Sequence, residues 1–383
     1  MGTPCPGMSG TALAPATATT HTRKLVTLRR VTGKSTYKGV PFVHLDGWTV
    51  HCQHMSLEVG DPVVYFEIDS FLPATDGRYW DFMANPSRPP AYLHGERGYR
   101  VSSVRIGRKV SQGRIFRLEQ FPEIRRVLQD LTSRYGEAEA WRQIEQVSFD
   151  EQLHIGKWVP EMDYTSEASI GKPPAFILQP AWERCQNIKD LFSIRRDTVF
   201  QITEKLDGLS ILTDLPAECA STHTIPSVGR VGVCSREADF LDNGENLFWN
   251  IAKQLDIPMK IQKLRGNVAI QGELVGSTLA GNSMGFADGE HTFIVFAIFD
   301  IDEQRYMTVK DTERICRELG MEHAPVIGHV KLGDFARNVT DLIEKAEGMG
   351  MKGRTREGLV FKSMDGQRQF KVISNAWLLE TGK

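Results

Sequence analysis

The sequence predicts an α+β protein in which a small closed β-barrel precedes a larger unit of strands and helices. Three observations carry this prediction. Residues 24–118 hold short β-branched and aromatic runs divided by Gly, Asp and Pro. Residues 121–147 switch to helical spacing, with Ile124, Val127, Leu128 and Leu131 on one face. Beyond residue 176, strong β runs alternate with helical stretches to the end of the sequence.

The chain has 383 residues, room for two or three domains. An apolar content of 41 % and a charged content of 25 % are those of an ordinary globular protein. No apolar run approaches the length of a membrane span. The six cysteines are scattered, with no C-x-x-C pair, which argues against a disulfide scaffold or a zinc ribbon. They favour a reducing intracellular compartment, cytoplasm or nucleus. No acidic residue precedes Asp46, so a mitochondrial leader is an alternative. Residues 1–22 are too rich in Thr, Pro and Gly for an amphipathic helix, however, and read as a disordered tail.

The runs Leu25–Leu28, Phe42–Leu45, Trp48–Val50, Val63–Ile68, Tyr99–Val101 and Gly113–Leu118 make residues 23–120 a barrel of OB type. Residues 22–120 carry 15 Lys and Arg against 9 Asp and Glu, a surplus of six. The net charge is −2, so the rest of the chain carries −8. A basic module joined to an acidic remainder fits a division of labour in which one part grips a polyanion. Arg100, Arg105, Arg108 and Lys109 cluster with Tyr99, as an OB surface requires to track a phosphate backbone and stack bases. A solvated charged edge would read the same way. His51 and His54, three apart on a strand, point to opposite faces, which argues against a metal site. Residues 121–175 read as a helical segment and a linker, Pro-rich from about 160.

The chemistry concentrates in the last part, residues 176–383. Lys205-Leu206-Asp207-Gly208 ends the apolar-flanked run Val199–Glu204. A lysine with a close carboxylate, on a strand that ends in glycine, suits a covalent lysyl-nucleotide enzyme. The amine attacks an α-phosphorus, the carboxylate helps hold a metal, and glycine lets backbone approach phosphate. The strands that follow carry Arg236, Glu273, Glu357, Lys362 and Lys371. Buried charges are costly unless paired or metal-bound. With Lys205 and Asp207 this set could neutralise itself around a triphosphate and a divalent cation. Taken singly, the same residues are ordinary solvated strand ends.

These segments resemble the covalent nucleotidyltransferase superfamily of polynucleotide ligases and capping enzymes. Within it the chain is similar to the ATP-dependent RNA ligases that place an OB domain ahead of the nucleotidyltransferase domain. Glu204-Lys205-Leu206-Asp207-Gly208 resembles motif I, Ser235-Arg236 motif Ia and Gly272-Glu273-Leu274-Val275-Gly276 motif III. Phe299-Asp300-Ile301 resembles motif IIIa, Glu357-Gly358-Leu359-Val360 motif IV and Phe370-Lys371-Val372 motif V. Arg184-Cys185-Gln186-Asn187-Ile188 is similar to the segment that leads into motif I, and Gly60–Pro73 to this family's OB domain.

The resemblance implies a nucleotidyltransferase (ATP-grasp-like ligase) domain of antiparallel sheets flanked by helices. It implies ATP and Mg²⁺ or Mn²⁺ as cofactors. Lys205 would carry AMP, with Asp207, Arg236, Glu273, Glu357 and Lys371 completing the catalytic set. Asp207, Glu273 and Glu357 would hold the metal largely through waters. Glu204, Gly208, Arg236, Phe299, Lys362 and Lys371 would meet the nucleotide, Phe299 by stacking on adenine. Arg100, Arg105, Arg108, Lys109, Gln186 and Asn187 would meet RNA. The implied reaction joins a 3′-hydroxyl to a 5′-phosphate, at nicks in duplexes, by a monomer with no membrane partner. Two departures stand out. No motif VI follows motif V, and Ile373 replaces a second motif V lysine, a role Lys362 would fill. An mRNA guanylyltransferase, a DNA ligase or a non-catalytic OB-fold RNA-binding protein are the alternatives. Thr213–Val228 reads as an exposed loop without catalytic residues.

Overall fold

The computed structural model describes residues 24–52, 55–84, 89–158, 169–178, 180, 182–214, 224–225, 229–236, 238–279 and 282–381. The tail at residues 1–22, His54, and most of the expected linker and of the 213–228 loop lie outside the described residues.

The N-terminal part is strand-rich and OB-like. Val26–Arg30 and Arg114–Arg117 both pair antiparallel with Pro62–Phe66. A meander of Gly33–Tyr37, Val40–Leu45 and Trp48–His51 forms a second sheet. A third runs Gly156–Lys157, Ser70–Pro73, Glu96–Arg100, Ala91–Leu93. Alternation along Pro62–Phe66 divides its side chains between two cores. Val64 and Phe66 enter one with Leu28, Phe116 and Ile124, while Val63 and Tyr65 enter the other with Trp48 and Val50. Helix Pro122–Tyr135 closes the first core with Ile124. The single helix expected over 121–147 is two, because Gly136 at φ 79° ends the first before Glu137–Ile144 begins.

The C-terminal part is built on two sheets. The larger orders Ser169–Gly171, Asp239–Phe240, Gly232–Cys234, Leu209–Asp214, Val268–Gly276, His291–Asp300 and Arg305–Tyr306, with Glu322–His323 added parallel to His291–Asp300. Its outer face carries Val268, Ile270, Val295 and Ile298 under helices Leu247–Gln254 and Val309–Leu319. The smaller sheet orders Glu183–Arg184, Gln369–Ile373, Gly358–Ser363, Val199–Lys205 and Val326–Lys331. Its outer face buries Phe200, Ile202, Leu359, Phe361 and Phe370. Phe361 and Phe370 stack at 4.8 Å and Phe200 meets Phe370 edge-on at 5.3 Å.

One short piece of chain joins the two sheets. Val199–Lys205 belongs to the smaller and Leu209–Asp214 to the larger, so Leu206-Asp207-Gly208 is the crossing. A Cβ at Gly208 would stand 2.5 Å from the Leu274 carbonyl oxygen. Only glycine lets the chain enter the larger sheet this tightly. Its requirement is thus met by strand packing, whatever phosphate it also admits.

The two halves are bolted together through the Arg184–Ile188 segment. Asn187 accepts from Arg29 and from the Trp48 indole, each at 2.9 Å, and donates to Glu67 and Glu183, each at 2.9 Å. Its amide capacity is filled. Arg184 pairs with Glu67 at 3.1 Å, their side chains 6 % and 1 % exposed. Beside this polar bolt, Ile68 packs on Ile373, Trp377 and Leu378. Position 373 faces an apolar junction, which accounts for isoleucine where a second motif V lysine was looked for. Cys52, Cys185, Cys234 and Cys316 are buried, and no described helix is long and apolar enough to cross a membrane.

Candidate active site

The inner faces of the two sheets enclose a cleft of about 510 Å³. Thr203, Lys205, Val360 and Lys371 line it from the smaller sheet, Arg236, Glu273 and Phe296 from the larger, and Pro180 and Trp182 from the approach segment. The register explains the first group. Thr203 lies opposite Val360, and Val360 opposite Lys371, so the three stand abreast on one face. A second cleft, about 270 Å³, opens beside the first and is lined by Asp207, Ser283, Lys352, Arg354 and Glu357 among others. Lys205 lines both.

The Lys205 amine donates to Glu357 Oε2 at 2.7 Å, with side chains 21 % and 10 % exposed. Glu357 comes from the turn before Gly358–Ser363, whose Gly358 lies opposite Lys205. Asp207 accepts a hydrogen bond from Ser283 at 2.7 Å. Glu273 is 8 % exposed in the middle of Val268–Gly276. The structure therefore gathers Lys205, Asp207, Arg236, Glu273, Glu357 and Lys371 around adjoining clefts. Among the described residues no three acidic, His or Cys side chains form a ready-made metal cage. The carboxylates stand apart on the walls, an arrangement that suits a cation which keeps most of its waters.

Glu204 lines both clefts beside Lys205, with its carboxylate held by the backbone of the second. Its carboxylate accepts the Met351 N–H at 3.0 Å, and a side chain at Gly350 would collide with it. Burial pushes its carboxyl up from the ordinary range, against the pull of Met351 and Arg356.

Four expectations need correction. Phe299 does not line the cleft. It packs on Tyr306 at 5.3 Å and is 1 % exposed, and Phe296 takes the cleft wall, edge-on to Trp182 at 5.0 Å. Lys362 also lies off the cleft. It stands one rung deeper than Val360 and Lys371, abreast of Gln201 and Gln369, and lines a separate small pocket. Gln186 and Asn187 are absorbed by the domain junction, Gln186 buried against Gly47 and Asn187 saturated as described. Arg100 is held by Asp69 at 2.7 Å and lies over Trp158. Arg105, Arg108 and Lys109 stand exposed on the hairpin Val104–Ile106/Lys109–Ser111. Next to that hairpin, the Tyr37 hydroxyl accepts from the Arg108 backbone at 3.3 Å. Trp182, Thr203 and Phe296 were missed. Trp182 alone left a signal, two residues before the Arg184–Ile188 segment.

The comparisons with known proteins agree with this geometry. Residues 198–373 match the family model described as RNA ligase, and residues 23–118 match a model described as an OB-fold domain. No curated protein matches the chain. Among solved structures, a Naegleria gruberi RNA ligase variant with ATP and manganese is similar at a TM-score of 0.77 and 28 % identity, covering 94 % of this chain and 98 % of that one. Another variant of the same protein, with AMP and manganese, gives 0.78 and 28 %, covering 94 % and 99 %. The same ligase with pyrophosphate gives 0.77 and 28 %, covering 94 % and 98 %.

Proposed function

We propose that this chain, a member of the ATP-dependent RNA ligases that carry an OB domain ahead of the nucleotidyltransferase domain, seals 3′-hydroxyl to 5′-phosphate RNA ends through lysyl-AMP and RNA-adenylate. Nicks in duplexes are the substrate the two-part architecture suits. The observation that supports the reading is the place of Lys205, at the end of a strand, in an ion pair with Glu357 and on the shared edge of two clefts.

In the first step the Lys205 nitrogen, deprotonated, bonds to the α-phosphorus of ATP, and the bond to pyrophosphate breaks. In the second, a 5′-phosphate oxygen of RNA displaces the lysine and takes the AMP. In the third, a 3′-hydroxyl loses its proton, attacks that 5′-phosphorus and releases AMP. Phe296 and Trp182 form the wall for the base, while Arg236 and Lys371 face the phosphates from opposite sheets. Glu357 orients the amine until attack. A Mg²⁺ or Mn²⁺ ion near Asp207, Glu273 and Glu357 would neutralise charge on the transferred phosphoryl group, and the Naegleria structures contain manganese.

Purified protein incubated with α-labelled ATP is expected to form a covalent adduct that Lys205→Ala abolishes. Adduct from GTP alone would replace the reading with guanylyl transfer. A sealing assay on nicked duplexes and on single-stranded ends then identifies the substrate. Sealing that survives Lys205→Ala would remove the covalent mechanism.

A further inference from the structure

The aromatic wall of the cleft stands on an irregular piece of backbone. Along His291–Asp300 the register slips. Ala297 lies opposite Gln271 and Val295 opposite Gly272, so Phe296 is the extra residue of a β-bulge. A bulge re-aims a side chain and takes its residue out of the hydrogen-bond ladder. A buried carbonyl in that position needs a donor from elsewhere.

Lys362 supplies that donor. Its amine hydrogen-bonds to the Phe296 carbonyl oxygen from the side away from the cleft. The same nitrogen lies 5.4 Å from the Trp182 ring centre and 5.8 Å from that of Phe296. Both rings line the nucleotide cleft, whereas Lys362, 3 % exposed, lines a separate small pocket behind them. Phe296 is common to the two spaces. The lysine thus touches both members of the wall and stays off the surface a nucleotide would reach.

We infer that Lys362 is a positioning residue for nucleotide binding: it holds the bulge at Phe296, and with it the Phe296–Trp182 wall, at the setting that receives the base. The inference rests on the nucleotide reading of the cleft given above. Burial pushes the Lys362 amine down to about 7. Charged or neutral, it keeps an N–H for the carbonyl, so the hold does not depend on protonation.

The role differs from a phosphate contact in what it predicts. Lys362→Met keeps the length of the side chain and loses the donor. Leaving a buried carbonyl unsatisfied should weaken adenosine, AMP and ATP by a similar factor, about tenfold. The KM for ATP in adduct formation should rise by that factor with kcat nearly unchanged. Calorimetry with adenosine and AMP, beside adduct kinetics with ATP, measures this. In a cycle with Phe296→Leu the two losses should not add, because both act through one wall. A loss that grows from adenosine to ATP would make Lys362 a phosphate ligand and overturn the inference. So would unchanged affinities, with or without a lowered melting temperature.

Should Lys362→Met fail to fold, amine labelling of the wild-type protein decides. Lys362 should resist reductive methylation in the absence of ATP while Lys205 is modified. Labelling of Lys362 that ATP suppresses would place it in the cleft. The two readings fail separately. No adduct in the wild-type protein defeats the nucleotide assignment, whereas a normal adduct with unchanged affinities in Lys362→Met defeats only this one.

Discussion

Glu204 and Lys205 are adjacent, yet their polar partners differ. Both line the clefts, but the Lys205 amine pairs with Glu357 while the Glu204 carboxylate is held by the Met351 N–H. The Glu204 carboxyl is raised above its unfolded value of about 4.3. Its protonated form is favoured by the fold, so its contribution is present at low pH and is lost as pH rises through the folded value. Glu204→Gln keeps an acceptor for the Met351 N–H without the charge. It is expected to melt at or above the parent temperature near pH 8, with that advantage shrinking toward about pH 5. Thermal denaturation across this range measures it. A parent advantage that widens with rising pH would mean that the charge itself stabilises. The charged residues of the site were legible in sequence because each interrupts an apolar run, where a charge needs a reason. The aromatic wall of the cleft was not. One bulge residue decides whether Phe296 or Phe299 reaches the cleft, and no composition or period marks it.

Among the elements, the hairpin Val104–Ile106/Lys109–Ser111 carries the basic residues best placed for RNA. Arg105, Arg108 and Lys109 are exposed there, whereas Arg100 is tied to Asp69. Replacing the three by Gln is expected to weaken RNA binding and to flatten its salt dependence. The slope of log affinity against log salt should fall by about two to three units, since each phosphate contact contributes roughly 0.7–0.9. Binding isotherms at several salt concentrations test this. An unchanged slope would take the hairpin out of the interface. Strands and helices were largely readable from period and β-branching, as helix Val309–Leu319 shows, with five buried residues on one face. The break at Gly136 was the exception. A glycine inside a helical pattern reads as tolerated until its positive φ is seen.

At the scale of the whole molecule, the sequence suggested two functional halves and left their joint hidden. Gln186 and Asn187 were assigned to RNA through the resemblance of the Arg184–Ile188 segment to the approach to motif I, and sequence shows none of their partners. The Asn187 partners Arg29, Trp48 and Glu67 lie more than a hundred residues upstream. Asn187→Ala would strip four hydrogen bonds at once, three of them across this joint. A loss of about 3 kcal/mol is expected, from the buried groups left unsatisfied. Urea denaturation followed by probes in each half should show a lower midpoint and transitions that separate. A parent-like, coincident transition would mean that the apolar contact of Ile68 with Ile373, Trp377 and Leu378 suffices.

The ion pair of Glu67 with Arg184 bears on how such a protein can be altered at all. Each charge is tolerable in its dry surroundings because the other is present, and stranding either one is costly. The two positions are therefore free to drift only in concert. A chimera that grafts this barrel onto a foreign catalytic half must import a mate for Glu67, or replace both partners by fitted apolar residues. Swapping modules along this lineage is a matter of exchanging matched seams as well as domains.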